Sequence, residues 1–146
     1  MRKIQWIVSA FALFFLYNAC KKSDNPASPA NARTVQNFSG SYNLTALKGV
    51  IFGVTIDLYD SLPPCEKDNT IQLDSNLTAH FIDSGTPCVP PSDSTGTWSL
   101  SANTDTLYVA GTANFINSWD GTTLVLVGNQ SVNGLTAAVT TTLVKK

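Results

Sequence analysis

From residue 38 onward, apolar and polar residues alternate in short runs broken by Gly, Pro, Asn and Asp, the period-two pattern of strands that bury one face. Gly40, Tyr42, Leu44 and Ala46 make the first run, Gly49 predicts a turn, and Val50, Phe52, Val54, Ile56 and Leu58 make the second. Pro63 and Pro64 end it, because proline brings no N–H to a ladder and restricts the residue before it. Ile71 and Leu73, then Leu77, Ala79 and Phe81, predict a hairpin around the loop Asp74-Ser75-Asn76, with Thr70, Gln72, Thr78 and His80 facing water. Gly96, Trp98 and Leu100 give a further strand. After a turn at residues 102–105, Leu107 and Val109 point inward from another. Residues 115–119, the turn signal Asp120-Gly121 and residues 122–127 predict a second hairpin. A last turn bounded by Gly128-Asn129 and Asn133-Gly134 leads to a closing strand through Leu135, Ala137, Val139, Thr141 and Leu143. The pattern is all-β: an antiparallel up-and-down meander of about eight or nine strands, closed as a barrel or folded as a sandwich.

The N-terminus is patterned differently. Arg2 and Lys3 precede an unbroken apolar run over residues 4–16, which is the build of an export signal and too short for a spanning helix. The next four residues, Tyr17-Asn18-Ala19-Cys20, resemble a bacterial lipobox, in which a Cys after a small residue is acylated and becomes the mature N-terminus. The resemblance implies a lipoprotein signal peptide over residues 1–19 and palmitate-type chains on Cys20, a membrane anchor of two or three acyl chains. With Lys21 after the Cys, it implies an outer-membrane address. Residues 20–36, rich in Lys, Ser, Asn, Ala and Pro, have spacer composition and would hold a domain over residues 37–146 about 20 Å from the bilayer.

Composition sharpens this picture. Of the 146 residues 43% are hydrophobic and only 13% charged, and the formal net charge is −1, which becomes more acidic once Arg2 and Lys3 are removed. A nucleic-acid partner, which would want a basic face, is not expected. The chain has three cysteines. With Cys20 acylated, Cys65 and Cys88 remain, almost equally far from the turn of their hairpin, so they are placed to pair across its open end in an oxidising compartment.

With these elements in place, the chain resembles the lipocalin-like domains of Gram-negative outer-membrane lipoproteins. The matching residues are Gly40-Ser41-Tyr42, Pro64-Cys65-Glu66-Lys67-Asp68-Asn69, Cys88, Gly96-Thr97-Trp98 and Thr122-Thr123-Leu124-Val125-Leu126. The resemblance implies a lipocalin-like β-barrel; it does not imply a catalytic activity.

Candidate chemistry is sparse. His80 is the single histidine, and no nucleophile-elbow motif accompanies it, so no enzyme is expected. Asp57, Asp60, Glu66 and Asp68 carry the oxygens calcium prefers, but their spacing fits no calcium loop and reads as a solvated rim. Zinc lacks ligands, so no metal or cofactor is expected. Two functions remain in view. In one, a small hydrophobic ligand sits in the barrel, lined by Tyr42, Phe52, Phe81, Trp98 and Trp119. In the other, those side chains fill the interior, and the protein is a structural module that contacts an envelope protein.

Overall fold

The computed structural model describes residues 29–132 and 135–146. The expected signal peptide, Cys20 and the turn at Asn133-Gly134 lie outside these residues. The described chain begins with an arm and a single helical turn, α1 (Val35–Phe38), in which the Thr34 hydroxyl accepts a hydrogen bond from Asn37 N at 3.1 Å as N-cap. Residues 29–36, read as spacer from composition, are fastened to the domain. The Asn37 amide donates to Pro29 O (2.7 Å) and Ala32 O (2.9 Å), Trp119 Nε1 donates to Ala30 O (3.2 Å), and the Arg33 guanidinium pairs with Asp105 at 3.2 Å. Small and polar residues look like linker unless the partners that satisfy their backbone are known, and those partners are distant in sequence.

Nine strands follow: β1 (Gly40–Ile51), β2 (Val54–Asp57), β3 (Thr70–Leu73), β4 (Thr78–Ile82), β5 (Ser94–Leu100), β6 (Thr106–Val109), β7 (Thr112–Trp119), β8 (Thr123–Val132) and β9 (Leu135–Lys145). A second helical turn, α2 (Pro64–Lys67), lies between β2 and β3, with Pro64 at its first turn where a missing N–H costs nothing. The order is β2-β1-β3-β4-β5-β6-β7-β8-β9, and β9 pairs back onto β1. Eight antiparallel strands therefore close a barrel, and β2 stands outside it as an extra strand. The closed barrel answers the choice left open between barrel and sandwich.

A bulge explains the largest departure from the alternation. The β1–β9 register slips between Leu44 and Ala46, leaving Thr45 as an extra residue, and one extra residue sends every later side chain to the opposite face. Tyr42 is therefore buried while Val50 is 38% exposed. Gly49 does not turn. The strand runs on to Ile51, and the reversal is made by Phe52 and Gly53, both at positive φ, before Val54 pairs with Ile51. Val50, Phe52, Val54 and Ile56, expected inside, are exposed.

The β3–β4 hairpin keeps its predicted faces with a register shifted by two. Leu73 opposes Ala79 and Ile71 opposes Phe81. The three-residue loop is 75–77 rather than 74–76, because Leu77 takes φ +70° after the turn closed by its N–H to Asp74 O (2.9 Å). Leu77 is thus a turn residue and 40% exposed. Thr70, expected in water, is buried on the outer wall, where its hydroxyl accepts from Ser84 Oγ (3.0 Å) and Lys146 Nζ (2.7 Å).

The antiparallel registers sort the connections into two ends. The turns after β3, β5 and β7 share one end with α1. The turns after β1, β6 and β8 share the other.

Candidate functional site

The end carrying α1 is plugged. Phe38, Tyr42 and Trp98 are at most 1% exposed, and Trp119 is 8% exposed. The Phe38 and Trp119 rings meet at 5.0 Å in a tilted pair. Each polar handle in the plug has a partner: Tyr42 Oη donates to Phe38 O (2.7 Å), and Trp98 Nε1 donates to Asp74 O (2.8 Å). Burial pushes the Tyr42 phenol well above its ordinary pKa. Lys145 Nζ donates to Asn37 O at 2.9 Å and ties the last strand to the plug.

The other end is open. It leads into a cavity of about 330 Å³. Its floor is the buried set Leu73, Leu107, Leu126 and Leu143, and Ile71, Phe81 and Val109 rise from it half-buried. Ala110, Thr112, Asn114, Gln130 and Thr141 complete the wall and the rim. The period-two rule puts the strand residues there, since each is the inward member of its strand, and Ala110 joins them from the turn between β6 and β7. A larger concavity of about 450 Å³ lies on the outer wall beside Phe115 and Val127, a shallow groove open to solvent and separate from the barrel interior.

Of the five side chains expected to line an interior site, Phe81 alone does so. Tyr42, Trp98 and Trp119 sit in the plug, and Phe52 is 87% exposed at the tip of the β1–β2 hairpin. Sequence reasoning looked for large aromatics and missed the smaller liners, above all Thr112, Asn114, Gln130 and Thr141. Polar residues at inward strand positions were the available signal.

Beside the mouth, two loops are stapled. Cys65 and Cys88 are bonded, with their Cα atoms 5.2 Å apart. Carboxylates hold the loop after β4: Asp83 accepts from Cys88 N (3.0 Å) and Ser92 N (3.1 Å), and Asp68 accepts from Thr86 N (2.8 Å). Asp57 is turned to its own loop, accepting from Tyr59 N at 2.9 Å. Among the described residues no three His, Cys, Asp or Glu side chains converge as a metal site.

His80 lies on the outer wall as expected, but it has partners there. Its Nε2 is 3.1 Å from Asp74 Oδ2 and its Nδ1 is 3.3 Å from Thr95 Oγ1. The row Thr95-His80-Asp74 has the order of a hydroxyl-imidazole-carboxylate relay. It lies on the convex outer face of β3, β4 and β5, away from the cavity that would hold a substrate.

An eight-stranded up-and-down barrel with one end plugged and the other open is a cup-shaped container. A family model for the lipocalin-like domain matches residues 33–126, more than half of the chain, and the protein belongs to that family. The match begins at Arg33, in the arm that packs on the plug. Neither the comparison with curated proteins nor that with solved structures returned a match.

Proposed function

We propose that the protein is a non-catalytic envelope lipoprotein, anchored in the outer membrane through acylated Cys20, whose barrel holds a small apolar molecule. One observation carries the ligand reading: the cavity of about 330 Å³ has an aliphatic floor and opens outward, and its size lies in the range of small-molecule pockets. The plug below it is tight, so the interior is neither a channel nor filled throughout. A fluorescent apolar probe should bind saturably and raise the melting temperature by the linkage relation RT ln(1 + [L]/Kd). Val109→Trp, which fills the cup from one wall, should abolish binding while Trp98 and the plug stay folded. Binding that survives in the filled variant would move the site elsewhere.

The anchor is tested separately. Cys20→Ala should move the protein out of the membrane fraction, and a wild-type chain without added lipid mass would refute acylation.

A second reading has its own support. Phe52 and Val54, 87% and 61% exposed, make the β1–β2 tip an apolar projection suited to an envelope protein partner. Phe52→Ser with Val54→Ser should weaken such a contact and leave probe binding unchanged.

A further inference from the structure

The cup has two unlike walls. On the side built by β3, β4 and β6, every lining side chain is a hydrocarbon: Ile71, Leu73, Phe81, Leu107 and Val109. On the side built by β7, β8 and β9, Thr112, Asn114, Gln130 and Thr141 interrupt the leucines. No lining residue is charged.

The polar wall has room and unused hydrogen-bonding capacity. Asn114 stands opposite Gly128, where a Cβ would come within 2.6 Å of Asn114 Oδ1, so the glycine is what lets this amide lie against the wall. Asn114 Nδ2 donates to Thr112 O at 3.1 Å, which leaves Oδ1 able to accept. Among the described residues neither the Gln130 side-chain amide nor the Thr141 hydroxyl has a hydrogen-bond partner. Amides and hydroxyls both donate and accept, so this wall suits a neutral polar group of either kind.

Charge outside the cup points the same way. The end of β2, α2 and the loops on the mouth side carry Asp57, Asp60, Glu66, Asp68, Asp83 and Asp93. Their opposing cations are Lys48, Lys67 and Lys146, the last reaching up the outer wall to Thr70. An anionic ligand would approach against this excess of carboxylates. It would then bury its charge with no counter-charge in the lining, the costliest kind of desolvation.

We infer that the cup takes an uncharged amphiphile, an apolar body laid against the β3–β4–β6 wall with a hydroxyl or amide group turned to Asn114, Gln130 and Thr141. This rests on the ligand-binding reading above and narrows it to a class. A simple carboxylate such as a fatty acid anion is excluded.

The test uses a matched series of one chain length, octanol, octanamide, octanoate and octylamine, competing against the apolar fluorescent probe on the full chain. Affinities are referred to the measured free concentration of each ligand, which removes partition into detergent or lipid, and each is also read as a ratio between wild type and an Asn114→Leu, Gln130→Leu double variant. Octanol and octanamide should bind wild type at least tenfold more tightly than octanoate. Relative to the apolar probe, whose affinity for each protein is measured first, the double variant should lose about tenfold for both, the effect of losing a hydrogen bond to the ligand's polar group. Thr141→Val, which exchanges one hydroxyl for a methyl, should show a smaller loss of the same sign if the double variant fails to fold. Octanoate or octylamine binding as tightly as octanol would overturn the inference, as would an octanol affinity unchanged in both variants. If the probe itself does not bind, the ligand-binding reading fails, and that failure is visible before any member of the series is added.

Discussion

The two ends of the barrel are made from the same strands and solve opposite problems. At the plugged end, α1 and the arm before it lie over Phe38, Tyr42, Trp98 and Trp119, and each buried polar atom of the aromatics has a partner. Burying each of these large side chains stabilises by about 1.5–3 kcal/mol. At the mouth, apolar side chains are left in water at Phe52, Val54, Ile56 and Val89. Stability is concentrated at one pole, and the proposed ligand binding falls to the other. A ligand-binding cup needs this division, because an end that opens to admit a ligand cannot also be the end that holds the fold together.

Trp98→Ala should separate the two ends most sharply. It removes a fully buried ring and its bond to Asp74 O, and should cost about 3–5 kcal/mol in denaturant unfolding. Phe52→Ser at the mouth should stay within about 0.5 kcal/mol. Equal losses would mean that the mouth carries load after all.

Next in size is the staple. Cys65 and Cys88 are 23 residues apart, and the chain-entropy model gives about 3 kcal/mol for a loop of that length. The Cys65→Ser, Cys88→Ser double variant should melt clearly lower and keep its β-type circular dichroism. Native-state hydrogen exchange should rise in residues 58–69 and 83–93 and not around Trp98. Exchange spreading evenly over both poles would deny them separate stabilities.

A smaller effect is expected at the arm. Thr34→Ala removes the cap of α1, at about 1 kcal/mol, and should loosen the plug without altering probe affinity. The smallest effect sits at the turn after β7. There the Asp120 carboxylate accepts from Thr123 N (2.6 Å) and Thr122 N (2.8 Å), and these bonds hold its pKa below the ordinary 3.8. A lowered folded-state pKa contributes stability that is present above 3.8 and is lost as pH falls through the folded value. Asp120→Ala should therefore lower the melting temperature slightly at neutral pH, and the gap to wild type should close in acid. A gap that widens in acid would reverse the sign.

What the sequence made legible is what local chemistry enforces. Alternation placed Leu73, Ala79, Trp98, Leu107 and Leu143 inside, because a strand offers two faces and water decides between them. The disulfide could be read because the hairpin between its cysteines is symmetric. Features set by distant partners could not. Thr70 is buried by Ser84 and Lys146, residues 29–34 are held by Asp105 and Trp119, and neither pairing leaves a periodic trace. Thr45 is harder still, since a bulge has the composition of the strand around it. Large aromatics attracted the search for a binding site, but aromatic bulk is equally what a plug requires. The cup is made by smaller side chains at inward positions.

The slip at Thr45 makes β1 two strands with separate obligations. Up to Leu44 its odd and even positions are fixed by the barrel; beyond Ala46 the frame is reset, and the exposed face of residues 50–57 answers to water alone. Mutations there can accumulate without disturbing a core neighbour, so the exposed surface of the mouth can drift across generations while the barrel beneath it stays the same. One inserted residue has uncoupled what this strand shows to solvent from what keeps the barrel folded.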